Sequence, residues 1–382
     1  MNSSQIRAVL PVFGAGRANA NGLIASCSIN RREWIASAVY ALFATSVVKG
    51  QDRTSVKPVA GATVDIPPQV WQETRTTSRR LFDQSRDSFE RGLMPLQDHL
   101  EQLSFATQLN LRLAGATNQR DVQRDWQAQL VRQLEGVAGR LEQFRQPASA
   151  GWESDVLLAR FSLAEARAQL AKFDDKPELA AAVQSQAVEL ARQHWAKRLD
   201  DSSVGHTSAM QIWRATSLLN KAEGRSAATS RNVLQQAIEA TDRWSFLGAG
   251  IGRNDLREAF QYEVARVDLQ ESTPGTQAFS ANAQQAESLL VRLHETTTQY
   301  QSKGTASLYD VATTFRERTE LHSFLQSAGG DAVPKAWQQR RAADFRNLQR
   351  LATNTTDRRG RNAADTTYVG VLALAEKTAD VR

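Results

Sequence analysis

Few residues of this 382-residue sequence combine the type and the spacing that chemistry needs. Its five histidines are the natural candidates for metal ligands. No two of them form an H-x-x-x-H pair, and none follows a glutamate at Glu-x-x-His spacing. Local pairs of this kind build most of the metal sites that a sequence reveals. The sequence therefore predicts no metal site at His99, His194, His206, His294 and His322.

A glycine-rich stretch, Gly248-Ala249-Gly250-Ile251-Gly252, resembles a phosphate-binding loop. Such loops follow a strand and end in Lys followed by Ser or Thr, whereas this one follows a helix-like run and lacks that ending. The sequence also has no G-x-S-x-G nucleophile motif. We therefore predict no catalytic residue and no cofactor. An exported enzyme with a dispersed site stays open, because a fold does not fix a function.

Two acidic pairs, Asp174-Asp175 and Asp200-Asp201, could in principle supply an acid and a base. Both pairs lie in predicted loops, where aspartate is favoured because it hydrogen-bonds the turning backbone. We interpret them as solvated turn residues.

The isoelectric point is about 9.6, and the excess of basic residues behind it lies mainly at the N-terminus. Residues 1–50 hold five basic residues and one acidic residue, and the rest of the chain holds 42 basic and 40 acidic residues. The arginine pairs are local: Arg79-Arg80, Arg340-Arg341 and Arg358-Arg359. A nucleic-acid-binding domain concentrates its positive charge on one face, so we predict no specific nucleic-acid partner.

Residues 1–50 have the features of a signal peptide. Arg31 and Arg32 precede Trp34, and a weakly polar run follows over residues 35–48. A basic segment before a short apolar run is typical of secretory signals, and the run is shorter than the roughly 20 residues that span a bilayer. The arginine pair resembles the twin-arginine motif, although Trp34 stands where Phe is usual and the motif's final basic residue is missing. We predict export to the periplasm or cell envelope, with the twin-arginine and general routes both open and a buried helix or uncleaved anchor as the alternative.

Cys27, the single cysteine, ends an Ile24-Ala25-Ser26-Cys27 segment that looks like a lipobox. The preceding stretch is broken by polar residues, so lipidation is the weaker interpretation. One cysteine allows no intramolecular disulfide.

Residues 51–68 contain three prolines and one glycine with few large apolar groups, and we predict a linker. From residue 69 to 382 the sequence predicts an all-α domain of about twelve antiparallel helices in repeated hairpins, either a bundle or a solenoid. Six glycine turns recur at intervals of 47 to 59 residues, which is the strongest internal regularity. The predicted hairpin turns are Gly92, Gly151, Gly205, Gly252, Gly304 and Gly360.

A second set of helix breakers lies midway between these glycine turns. It comprises Gly115 with Asn118, Asp174 to Pro177, Gly224, Pro274-Gly275, and Gly329-Gly330 with Pro334. Proline inside a helix costs about 3 kcal/mol, so its placement supports these boundaries independently of the glycines. Between the breakers, apolar residues recur at helical spacing and predict helices of roughly 18–26 residues.

One unit resembles a recurring piece of the TolC family of outer-membrane efflux factors. Tyr300, Gly304, Ser307, Asp310 and Val311 match its aromatic residue, glycine turn, hydroxyl residue and Asp-Val helix start. Weaker matches begin at Gly151 and Gly252. The resemblance implies coiled hairpins whose tips meet a partner's hairpins, with Thr305, Ser307 and Asp310 as candidate tip contacts. The chain departs from the family by having six turns instead of two and by lacking alternating ten-residue strands, so a channel is not expected and an unrelated helical repeat is the alternative.

We therefore expect an exported, non-enzymatic helical repeat protein that presents hairpins to a protein partner. The alternatives are a component of an envelope efflux assembly that docks to an adaptor, with outer-membrane association, and the exported enzyme mentioned above. The sequence does not identify the partner or the oligomeric state.

Overall fold

A computed structural model describes residues 67–143, 151–203, 209–224, 227–246, 253–303, 308–328, 333–359 and 363–378. These residues form twelve α-helices and no strand, which confirms the all-α prediction. The helices are α1 Pro68–Glu90, α2 Leu96–Ala116, α3 Arg120–Gln143, α4 Trp152–Phe173, α5 Pro177–Ser203, α6 Ala209–Ala222, α7 Ala227–Phe246, α8 Arg253–Glu271, α9 Gln277–Ser302, α10 Leu308–Ser327, α11 Lys335–Arg359 and α12 Ala363–Lys377. The signal and almost all of the linker lie outside the described residues.

The eleven intervals between these helices coincide with the eleven breakers in the sequence. Among the described breaks, the left-handed residues are Gly92, Asn118, Gly151, Asp175, Gly224 and Gly275. At Gly92 the φ angle is 68°, a conformation that a side chain bearing a Cβ resists. Helix lengths range from 14 residues in α6 to 27 in α5, a wider spread than the sequence predicts.

Each helix contacts the next one along the chain, and the last helix, α12, contacts the first. Thr367 of α12 donates a hydrogen bond to Gln84 of α1 at 2.5 Å. Gly370 lies so close to α1 that a Cβ on it would be 3.7 Å from Thr77 Cγ2. The contacts from one helix to the next therefore return from α12 to α1.

Alternate helices differ in burial. Sixteen of the 21 residues of α2 are buried, but only five of the 23 in α1. In α4 eleven of 22 residues are buried, against seven of 24 in α3. Every residue from 211 to 221 in α6 is buried. The even-numbered helices therefore form the interior, with the odd-numbered ones outside them.

Ion pairs join helix ends that are far apart in the chain. Glu90, at the end of α1, lies 2.5 Å from Arg140, near the end of α3. Arg120, at the start of α3, lies 2.5 Å from Asp175 in the turn after α4. The end of α1 is thus a neighbour of the end of α3, and the start of α3 is a neighbour of the turn after α4.

None of the described helices is both long and apolar enough to cross a lipid bilayer.

Candidate functional site

The even-numbered helices carry a set of charged and polar side chains that are all at least nine-tenths buried. We call this set the interior polar cluster. Its members are Glu101 on α2, Glu165 on α4, Arg214, Asn220 and Lys221 on α6, Tyr262 and Glu263 on α8, Asp310, Arg316 and Glu317 on α10, and Tyr368 on α12. All six interior helices contribute to it.

Arg214 and Lys221 of α6 form ion pairs with carboxylates of α10. Arg214 donates a hydrogen bond to Asp310, and the Lys221 Nζ lies 3.1 Å from Glu317 Oε1. The two cations are seven residues apart and so are the two carboxylates. Seven residues make about two helical turns, so each helix presents both of its charges on one face. The Tyr262 hydroxyl of α8 donates to Glu317 Oε2 at 3.2 Å, which brings a third helix to the same carboxylate.

Glu101 joins α2 to two other helices, α10 and α12. It forms an ion pair with Arg316 of α10 and accepts a hydrogen bond from the Tyr368 hydroxyl of α12 at 3.1 Å. The Tyr368 ring also packs edge-on against Phe105 of α2, with ring centroids 5.9 Å apart. Burial raises the pKa of Tyr368 to about 12, with Asp98 acting in the same direction and Arg316 against it. The hydroxyl therefore remains a hydrogen-bond donor across the physiological pH range.

Glu165 on α4 has a strongly raised pKa. Burial raises its pKa to about 8, although Lys221 and Lys172 oppose the shift by favouring the carboxylate. Its Oε2 has no hydrogen-bond partner among the described residues. At neutral pH Glu165 is therefore protonated, and it could donate or accept a proton near that pH.

A second buried ionic group lies between α9, α10 and α11. Glu287 is 2.9 Å from both Arg318 Nε and His322 Nε2, and Arg318 also contacts Asp344. Burial would raise the pKa of Glu287, but the hydrogen bond from His322 and the charge of Arg318 outweigh it and lower the pKa. This group ties the outer helices to α10.

The described histidines are dispersed. His99 lies 2.7 Å from Ser85, His194 lies 3.1 Å from Ser154, and His294 lies 2.9 Å from Thr314. Burial lowers the pKa of His99 and of His194 to about 3, so both rings are neutral at physiological pH. In the described part of the chain, no three His, Cys, Asp or Glu residues are placed to hold a metal ion. Each of these histidines instead bonds a hydroxyl on a neighbouring helix.

A cleft of about 310 Å³ opens on the outer side, between α7, α8 and α9. Its lining comprises Ile238, Gln261, Val264, Gln285, Ser288, Leu289 and Arg292. Arg292 is the one charged residue of this lining, and it pairs with Glu258 at 3.3 Å. No member of the interior polar cluster lines the cleft.

Only some of the residues singled out in the sequence are described. Gly92 and Gly151 lie between helices with left-handed φ angles. Asp310, a candidate tip contact, is buried against Arg214 in the first turn of α10. The remaining residues lie outside the described residues: Arg31, Arg32, Trp34, Gly205, His206, Gly252, Gly304, Thr305, Ser307 and Gly360.

The acidic pairs are not all solvated. Asp174 and Asp175 bond Arg124 and Arg120 at the turn after α4. Asp201, in contrast, is buried within α5 and lies 3.0 Å from Lys197. The expectation that Asp200-Asp201 forms a loop is therefore wrong, because α5 continues to Ser203.

The interior polar cluster was not predicted from the sequence. A usable signal exists in the matched spacing of seven residues between Arg214 and Lys221 and between Asp310 and Glu317. Residues seven apart lie on the same face of a helix, so two helices with this spacing can present opposite charges to each other.

No known protein family, curated protein or solved structure matches the chain.

Proposed function

We propose that the chain is an exported, non-enzymatic protein of repeated antiparallel hairpins that presents the ends of its hairpins to a protein partner. Residue pairs across α1 and α2 support the hairpin geometry. Ser85 pairs with His99 near the turn, while Ser78 pairs with Asn110 further from it. Helices α3 and α4 are paired in the same way. Trp152 donates to the Leu141 carbonyl near the connection between them, and Gln127 donates to the Ala166 carbonyl further from it.

The observation that carries this proposal is the pairing of the interior charges. Arg214, Lys221 and Arg316 each form an ion pair with a carboxylate on another helix than their own. Removing one partner of a buried pair typically costs 3–5 kcal/mol, so these side chains are committed to holding the helices together. The hairpin ends and the outer faces are then the surfaces left for a partner.

The end that carries the glycine turns offers an apolar contact. Leu93, directly after Gly92, is 68% exposed, while the neighbouring Met94 is buried and accepts from Ser85. Exposed aliphatic side chains at a tip favour protein contact because a partner removes them from water. Leu179, 51% exposed, lies in the first turn of α5 at the opposite end and provides a matched comparison.

The test places a photo-crosslinking amino acid in the full-length chain at Leu93, Thr305 or Leu179 and irradiates the cells that produce it. We expect Leu93 and Thr305 to cross-link the same envelope protein and Leu179 to cross-link none. Equal cross-linking from Leu179 would contradict recognition by the glycine-turn end. A captured partner that is an efflux adaptor would support the transport alternative.

Export is tested separately by replacing Arg31 and Arg32 with lysine. A twin-arginine receptor rejects lysine, so precursor should accumulate in the cytoplasm, whereas a general secretory signal tolerates the change. Finding the unaltered chain only in the cytoplasm would reject export itself.

A further inference from the structure

Glu263 on α8 is fully buried, and neither carboxylate oxygen has a hydrogen-bond partner among the described residues. Asn220 on α6 is also fully buried, with both its Nδ2 and its Oδ1 unpartnered. Buried polar groups in native proteins almost always have partners, because leaving a carboxylate desolvated and unpaired is costly. These two side chains therefore point to a bound species.

Helix packing places the two residues on facing sides. Helices α6 and α8 contact each other directly. Trp213 of α6 belongs to the same hydrophobic cluster as Phe260 of α8. Asn220 follows Trp213 by seven residues and so shares its face, and Glu263 follows Phe260 by three.

Both residues lie near the same interior carboxylate. Lys221 and Tyr262 both contact Glu317, one on each of its oxygens. Asn220 directly precedes Lys221 and Glu263 directly follows Tyr262. A species bound to both would therefore lie in the region of the Lys221–Glu317 pair.

The nearby cations are already engaged elsewhere. Lys221 lies 3.1 Å from Glu317 and 3.7 Å from Glu320. Arg266, one turn beyond Glu263, holds its guanidinium carbon 4.3 Å from the centre of the Phe324 ring. None of these contacts supplies a hydrogen-bond partner to either oxygen of the Glu263 carboxylate.

We propose that a small monovalent cation, an alkali ion or ammonium, binds between α6 and α8 on the Glu263 carboxylate and the Asn220 amide oxygen. Carboxylate and amide oxygens are hard ligands that suit such cations. A divalent ion would demand more carboxylate or imidazole ligands, and the described residues hold no group of three around one point. This site lies inside the helices, so it is independent of partner recognition at the hairpin ends.

The test measures thermal unfolding of the full-length protein in sodium, potassium, ammonium and choline chloride at equal ionic strength. Choline is too large for the site and serves as the reference. Binding to the folded state alone raises the midpoint, and at roughly 0.3 M salt we expect at least about 2 °C over choline for one of the small cations. Glu263→Gln should abolish that increment, while Glu258→Gln, a change on the same helix but outside the site, should keep it.

A second variant keeps the test decisive if Glu263→Gln folds poorly. Asn220→Lys places an ammonium group beside Glu263, so this variant should be insensitive to the choice of cation and should match or exceed the wild-type midpoint in choline. Equal midpoints for the wild type in all four salts would overturn the proposal. So would an Asn220→Lys variant that retains the full cation response.

Discussion

The hydroxyl of Tyr368 donates a hydrogen bond to Glu101 at 3.1 Å, although the two residues are 267 positions apart. The bond joins the last helix of the chain to the second, at the carboxylate that also pairs with Arg316. Together with the contact between α12 and α1, it couples the last described helix to the first two.

Replacing Tyr368 with phenylalanine should lower the free energy of unfolding by about 1–3 kcal/mol. The change keeps the ring against Phe105 but deprives the buried Glu101 of a donor. Denaturant unfolding measures the effect. Tyr300→Phe, near the end of α9, is the control and should cost less, because Tyr300 is only partly buried. Equal losses in the two variants would show that the Tyr368 hydroxyl contributes nothing specific.

The Lys221–Glu317 pair should behave non-additively. Glu317→Gln alone leaves Lys221 buried without its main partner and should cost roughly 3–5 kcal/mol. Combining it with Lys221→Met removes the stranded charge, so the double variant should be less destabilised than the sum of the single changes. A double-mutant cycle by denaturant unfolding gives the coupling energy. A coupling near zero would mean that the two charges act independently.

Glu165 should make stability fall as the pH rises. Its pKa is about 8 in the folded chain and near 4.5 when exposed, so the folded state holds a proton that unfolding releases between these values. The free energy of unfolding should therefore decrease from pH 4.5 to pH 8 and then level off. Glu165→Gln, which cannot ionise, should flatten this part of the profile, whereas the exposed Glu178→Gln should not. A wild-type profile that rises with pH and is unchanged by Glu165→Gln would contradict a raised pKa.

Replacing glycine with alanine should change the stability in opposite directions at two positions. Gly92 has a φ angle of 68°, and alanine there should destabilise by about 1 kcal/mol. Gly136 lies inside α3 with open space where a Cβ would be added, and alanine there should stabilise by roughly 0.5–1 kcal/mol. Thermal melts of the two variants test the turn and the helix together. A stabilising Gly92→Ala would show that the left-handed turn is not required.

Local sequence was enough to predict the breaks between the helices, although not every helix end. Gly92, Asp175 and Gly275 have left-handed φ angles, which glycine and aspartate tolerate better than most residues do, so these residues mark breaks through their own backbone. Apolar periodicity likewise predicted helices without sheets, and the twelve described helices agree.

Which helices turn inward, and which charges they bury, depends on long-range packing. Residue type alone places arginine and lysine at the surface, since burial of an unpaired charge is costly. Arg214 and Lys221 are buried because Asp310 and Glu317, 96 positions later, meet them across the interior. Such pairing joins helices that are far apart in the chain, and no local sequence pattern encodes which of them meet.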